Sequence, residues 1–375
     1  MKYYIIAGEA SGDLHGANLM KQLYKEDPKA EIRFWGGDLM QAVGGTLVTH
    51  YKERAFMGFI EVIMNLKKVL GFIDFCKKDI AQFHPDTLIF IDNSGFNLRV
   101  AKWAKVQNFR TNYYISPQVW ASRAGRVKDI KRDVDKLFVI LPFEKEFYQK
   151  YNYPVEFVGH PLIDAIANRT QVDEVDFRKT YGLSNKPIIA LLPGSRKQEI
   201  TKMLSVMLSL MDDFDAYEFV IAGAPSQSFS FYKQIIGDRK VGFINNKTYD
   251  LLSVSFAALV GSGTATLETA LFKVPQVVCY KGSRISYQIA KKIITLKFIS
   301  LVNLIMDKEV VEELIQNDFT KKKLKAACIK ILDPIHREKL FTAYFELEKI
   351  LGGIGASSKV AKKIVADLNA ISSRD

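Results

Sequence analysis

Cysteine is scarce. The 375-residue chain carries three, Cys76, Cys279 and Cys328, far apart and without a CxxC pair. That excludes a disulfide framework and a cysteine-based zinc site and fits a reducing compartment. Histidine is scarce too, and His15 and His160 stand without HxxxH or HxH spacing, so neither reads as a metal ligand. Long apolar runs are missing. Glu61, Lys67, Lys291 and Lys297 interrupt the two most apolar segments, so none reaches the roughly 18 residues of a bilayer span, and Met1 to Ile6 is too short for the core of a signal peptide. Low-complexity tracts and short-period repeats are absent as well. What is present is a folding composition, 48% apolar and 25% charged, at a length that suits two domains. Lys plus Arg is 53 against 41 Asp plus Glu, a net charge of +12 that calls for an anionic partner: nucleic acid, a phosphorylated metabolite or an anionic membrane surface.

Short apolar runs alternate with segments of helical period, the pattern of βα units around a parallel sheet. The runs predict strands over Tyr3 to Ala7, Glu31 to Trp35, Thr87 to Ile91, Thr111 to Ile115, Lys136 to Val139 and Val155 to Phe157. A second series follows over Ile188 to Leu192, Tyr217 to Ala222, Val241 to Phe243, Ala257 to Val260 and Gln276 to Tyr280. The expected fold is α/β, two Rossmann-like doubly wound domains facing a cleft, one over 1–165 and one over 166–350. After the Gly352 to Gly355 break, an amphipathic helix over 356–371 is expected to pack back on the first domain.

Four strand ends carry chemistry. Gly8-Glu9-Ala10-Ser11-Gly12-Asp13 joins the first strand to a helix, and backbone amides at such a turn can face a ligand; a tight turn capped by Ser11 or Asp13 is the plainer reading. Leu192-Pro193-Gly194-Ser195-Arg196 has the same form in the second domain and adds a cation where a phosphate would sit. The small residues of Gly261-Ser262-Gly263-Thr264-Ala265-Thr266 suit a diphosphate, and Glu268 can accept from ribose hydroxyls; the alternative is a capping box that Glu268 supports. Asp92 ends the Thr87 to Ile91 strand and is a candidate general base, or the head of an Asx turn. Elsewhere, Phe59, Val62, Ile63, Leu66, Leu70 and Ile73 make a core stripe, while Met64, Phe72 and Phe75 add a second apolar face beside Lys67, Lys68, Lys77 and Lys78. That pairing suits an anionic membrane interface, or a core or dimer contact. The segment Arg284 to Met306, with Lys291, Lys292 and Lys297, reads the same way.

In order along the chain stand Ala7 to Asp13, Met57 to Val62, Ile91-Asp92 with Phe96-Asn97, Tyr114 to Ala121, Leu141 to Glu144, Val158 to Pro161, Leu191 to Arg196, Gly261 to Glu268 and Ser300 to Leu304. The ordered set resembles the lipid A disaccharide synthases and covers nearly the whole chain. The resemblance implies an inverting, cofactor- and metal-independent glycosyltransferase of the GT-B fold. Its reaction would join UDP-2,3-diacylglucosamine to the 6-hydroxyl of 2,3-diacylglucosamine 1-phosphate (lipid X) through a β-1,6 bond, releasing UDP. Asp92 would be the base and Arg196 would offset charge on the departing UDP. Gly194, Ser195, Gly263, Thr264, Ala265, Thr266 and Glu268 would hold the nucleotide, and Glu9, Ser11, Gly12, Ser116 and Asn303 would line the cleft. After Asp92 the chain departs from the family's commonest form: Ser94 replaces a proline and Gly95 a second aspartate. The base role therefore rests on Asp92 alone, with Glu9 or Asp13 in reserve.

Two rival enzymes share the expected fold, the peptidoglycan N-acetylglucosaminyltransferase and UDP-N-acetylglucosamine 2-epimerase; a non-catalytic nucleotide-sugar binding module is the rival outside enzymes. Nucleic acid is disfavoured because the lysines interleave with aliphatics and match no nucleic-acid motif. The expected location is the cytoplasmic face of the inner membrane, reached by peripheral contact of a monomer or homodimer.

Overall fold

The computed structural model describes residues 1–54, 66–121, 124–282 and 297–373. Phe59, Val62, Ile63, Met64, Lys291 and Lys292 lie outside them, as do the side chains of Leu66 and Lys67. The chain divides into two compact units, Met1–Ala167 with Leu351–Asp375, and Asn168–Ile350.

The first unit is built on seven parallel strands: β1 (Lys2–Ala7), β2 (Glu31–Gly36), β3 (Thr46–His50), β4 (Thr87–Ile91), β5 (Thr111–Tyr114), β6 (Lys136–Val139) and β7 (Glu156–Phe157). Their order is β3-β2-β1-β4-β5-β6-β7. Side chains alternate across a strand, so Tyr4 and Ile6, Trp35, Leu88 and Phe90, Tyr113, and Leu137 and Val139 reach one core. Within it the Trp35 Nε1 donates to the Tyr4 hydroxyl at 2.8 Å, which donates to Asp79 at 2.6 Å; Arg33 neutralises that carboxylate at 2.6 Å. A buried charge is tolerated when it is paired and hydrogen-bonded in this way.

The helix Leu66–Phe83 turns Ile73, Cys76 and Ile80 into the core. Phe72 also packs there, 6.3 Å from Trp35. Leu70, expected in the core stripe, is instead 49% exposed: Phe72, Phe75 and Phe96 surround Trp35, and Leu70 is outside that aromatic cluster. Phe75 is 48% exposed, with Lys68 and Lys78 also on the surface.

The last helix, Ala356–Ser372, lies in this unit and packs on the helix Ala10–Glu26 through Val360, Ala361, Ile364, Val365 and Leu368. Three devices fix its entry. The His160 amide donates to the Leu351 carbonyl at 3.0 Å. Gly159 and Gly352 come so close that a Cβ on Gly352 would lie 3.1 Å from the Gly159 Cα. Asp164 accepts from the Gly355 and Ser357 amides at 2.6 and 3.1 Å, capping a helix that it does not belong to. His15 and His160 are buried in this unit, and burial lowers their pKa values to about 4 and about 3.

The second unit has six parallel strands, β8 (Ile188–Leu192), β9 (Glu218–Gly223), β10 (Gly242–Asn245), β11 (Ser255–Gly261), β12 (Gln276–Tyr280) and β13 (Glu313–Ile315), in the order β10-β9-β8-β11-β12-β13. Its core gathers Ile188, Ala190, Val220, Ile244, Ala258 and Val260. Among the described residues no helix is long and apolar enough to cross a membrane.

Candidate active site

In an open parallel sheet the strand order reverses at one point, and turns on either side of it leave a crevice where ligands bind. The first unit reverses between β1 and β4. Gly8 follows β1 and Asp92 follows β4 at that point, and they are packed so tightly that a Cβ on Gly8 would fall 2.1 Å from the Asn93 side-chain nitrogen. Asp92 and Asn93 are both left-handed, with φ 46° and 45°. Such a conformation costs a non-glycine residue on the order of 1–3 kcal/mol, least for Asp and Asn, and persists where the surroundings hold it. Burial pushes the Asp92 carboxyl above the ordinary aspartate range, and the negative charge of Glu9 adds to the shift. Glu9 itself is exposed at the start of the helix Ala10–Glu26 and makes no side-chain bond to it. Ser11 is exposed on the same turn.

Asp13, the other reserve base, is committed elsewhere. It is 3% exposed and accepts from the Gly37, Leu39 and Met40 amides at 2.8, 3.0 and 3.0 Å, so it caps the short helix Asp38–Val43. Gly12 is buried against Ala7, whose Cβ lies 3.3 Å from where a Gly12 Cβ would stand, and lets the helix pack closely on the strand. Ser116 is buried, with its hydroxyl 2.7 Å from that of Tyr148.

The second unit reverses between β8 and β11. Gly194, at φ 98°, turns the chain after β8, and a Cβ on Gly261 would lie 3.3 Å from the Gly194 amide, which brings the two turns into contact. Ser195 and Arg196 are exposed there, Arg196 at 82% and loosely paired with Glu199 at 2.9 Å, an interaction worth at most about 1 kcal/mol. The helix Lys197–Leu208 starts at Arg196 and the helix Thr264–Leu271 at Gly263, whose φ of 138° suits glycine. Two helix starts and the exposed Arg196 guanidinium thus follow the neighbouring strands β8 and β11, features suited to an anion. Thr264 is exposed and Ala265 half-buried on the same turn. Glu268 accepts from the Tyr249 hydroxyl at 2.8 Å, while burial raises its pKa.

Two residues expected to contact the ligand on this side have their side-chain polar groups engaged within the fold. Thr266 is fully buried, and both its amide and its hydroxyl donate to the Gly263 carbonyl, so it closes the turn. Asn303 is fully buried too: its Nδ2 donates to the Val311 carbonyl and to Glu313, and its Oδ1 accepts from the Val310 and Val311 amides. Every valence is used inside the fold. Sequence reasoning missed Tyr249, which no motif marks, and Gln227, whose Nε2 donates to the Ser195 carbonyl at 3.1 Å. Among the described residues no group of three or more His, Cys, Asp or Glu could hold a metal ion.

Comparison with known proteins adds a family and a fold. A family model described as lipid-A-disaccharide synthetase matches residues 3–363. The lipid-A-disaccharide synthase of Geobacter metallireducens is 38% identical over 95% of this chain and 94% of its own length. That of Syntrophus aciditrophicus is 39% identical over 95% of each, and one from Coxiella burnetii is 35% identical over 96% of each. Among solved structures, the UDP-GlcNAc 2-epimerase of Neisseria meningitidis, bound to UDP-GlcNAc, superposes with a TM-score of 0.70 at 14% identity, covering 98% of this chain and 100% of that one. A calicheamicin glycosyltransferase superposes at 0.59 and 14% identity, covering 99% of this chain and 98% of its own. At such identities the shared feature is the fold.

Proposed function

The chain belongs to the lipid-A-disaccharide synthase family, glycosyltransferases that form the lipid A disaccharide, and from that membership we propose the chemistry of its own residues. The sugar moved is 2,3-diacylglucosamine, from UDP-2,3-diacylglucosamine to the 6-hydroxyl of 2,3-diacylglucosamine 1-phosphate. Asp92 takes the proton of that hydroxyl as its oxygen bonds to the anomeric carbon. The bond from that carbon to the diphosphate breaks on the opposite face, the electron pair leaves with UDP, and the configuration inverts.

The observation that carries this reading is Asp92 itself, a solvent-reachable carboxyl whose pKa is raised by partial desolvation and by the Glu9 charge, which makes it a stronger base than an ordinary aspartate, held at the reversal of the first sheet. In the second unit, the Gly194 to Arg196 turn and the Gly263 to Ala265 helix start receive the diphosphate. Arg196 meets charge that grows on the leaving group. Glu268, already oriented by Tyr249, takes the ribose hydroxyls. Glu9 and Ser11, exposed beside Asp92, contact the acceptor sugar.

The rival 2-epimerase and peptidoglycan transferase readings have the common fold in their favour, whereas the family match runs over residues 3–363. The deciding assay is UDP release from UDP-2,3-diacylglucosamine with lipid X. Asp92→Asn is expected to abolish turnover while UDP still binds; near-normal turnover would move the base elsewhere.

The partly exposed Phe75 and Leu70, with Lys68 and Lys78 on the same helix, support peripheral contact with an anionic bilayer. Co-sedimentation should favour vesicles with anionic lipid over zwitterionic ones and weaken with salt. Leu70→Ser with Phe75→Ser should reduce it; unchanged partition would reject this face.

A further inference from the structure

The structure assigns to Tyr113 and Asn97 the role of positioning residues that clamp the backbone of Asp92 and so aim its carboxylate; the inference rests on Asp92 being the base. Asp92 sits in the left-handed region with Asn93 behind it, so two successive non-glycine residues at the end of β4 adopt a conformation that free chains visit rarely. The carbonyl of Asp92 is gripped from two sides. Asn97 Nδ2, on the first turn of the helix Ser94–Val106, approaches it at 2.9 Å, and the Tyr113 hydroxyl, on the neighbouring strand β5, donates to the same oxygen.

Asn97 does more than close a local turn. Its Nδ2 also lies 3.2 Å from the Ile91 carbonyl and 3.3 Å from that of Ile6, which ties the end of β4 to the end of β1 where Gly8 and Glu9 begin. The Asp92 amide is engaged as well, 3.3 Å from the Tyr114 carbonyl. With its amide and carbonyl both held, only the side chain of Asp92 is left to turn. Tyr113 and Asn97 are themselves fully buried, which separates them from Glu9 and Ser11 on the exposed turn after β1.

A hydrogen bond that only filled the core would cost stability when removed; one that aims a base costs turnover, because a small misplacement of a catalytic group slows the reaction steeply. Tyr113→Phe removes one oxygen and keeps the ring in place beside Phe90. It is expected to lower kcat by about 10- to 100-fold, with the KM for lipid X and the affinity for UDP unchanged. Asn97→Ser, which shortens the bridge, should do the same, and a melting curve and UDP titration on each variant check that it is folded.

Asp92→Asn in parallel separates the two claims. If Asp92→Asn is inactive and Tyr113→Phe and Asn97→Ser turn over at the wild-type kcat, the clamp is overturned and the base stands. If Asp92→Asn keeps its turnover, the base reading falls and the clamp with it. If KM or UDP affinity worsens as much as kcat falls in the clamp variants, their role is structural and the clamp is overturned.

Discussion

Burial raises the pKa of Asp92, so ionising that side chain costs the folded protein more than the unfolded chain. Over the pH range between the unfolded and folded pKa values the native state holds a proton that the unfolded state has released, so stability falls as pH rises through it. Above the folded pKa the penalty is complete. Asp92→Asn removes the ionisation and is therefore expected to raise the melting temperature near neutral pH while it abolishes turnover, with the gain shrinking as pH drops toward about 4. Paired thermal scans from acid to neutral pH would show this, and a lower melting temperature at pH 7 would contradict it. Glu144 offers a second case. It is 1% exposed, and burial drives its pKa up to about 7, although the Ile140 and Leu141 amides bind one oxygen at 3.1 and 2.9 Å and favour the charge. The wild type should lose stability relative to Glu144→Gln as pH rises from about 4.3 to about 7, then run parallel to it. At this scale residue type alone was a poor guide to exposure. Asn303 and Ser116 have the chemistry of ligand contacts, yet their side chains bond inside the fold, while Tyr113 and Tyr249 reach their partners from positions just outside or far from the quoted motifs.

Elements were legible where they are buried on both faces. The central strands β1, β4 and β8 appear as apolar runs because helices cover both sides of a parallel sheet. The edge strands β3 and β13 are half-exposed and carry polar residues, Thr46 and Thr49 in one and Glu313 in the other, so no run marked them. The turns at the strand ends were legible as small-residue motifs, and their contacts make the glycines testable. A Cβ on Gly8 would meet Nδ2, Cγ and Cβ of Asn93 within 2.7 Å, so the whole Asn93 side chain would have to move rather than its tip. Gly8→Ala is expected to cost about 1–3 kcal/mol by denaturant titration and to lower turnover by disturbing Asp92 next to Asn93. Asp13→Ala strips the cap from the helix Asp38–Val43 and should cost about 2 kcal/mol. With Asp13 committed to that cap, activity per folded molecule should survive; its loss would restore Asp13 to the chemistry.

The whole molecule departs from a simple succession of domains, since the first unit is completed by Leu351–Asp375 after the second has been traversed. Buried Val360, Ile364, Val365 and Leu368, at about 1.5–3 kcal/mol each, contribute on the order of 10 kcal/mol, comparable to the entire stability of a typical domain. A chain ended at Ile350 should therefore lose the first unit, seen as lost turnover and binding of a hydrophobic dye. Its second unit should still bind UDP, and a truncated chain with full turnover would show the last helix to be dispensable. The amphipathic period of that helix is legible in the sequence, whereas its cap is not: Asp164 stands nearly two hundred residues away from the amides it accepts.

That discontinuity has a consequence for synthesis. The ribosome releases the first 167 residues before the segment that covers their helix Ala10–Glu26 exists, and at typical translation speeds the gap lasts roughly 10 to 40 s. The nascent first unit must wait with an open apolar face, a natural client for a chaperone, while the second folds ahead of it. Completion of the first unit is therefore expected only after the helix Ala356–Ser372 has emerged and packed.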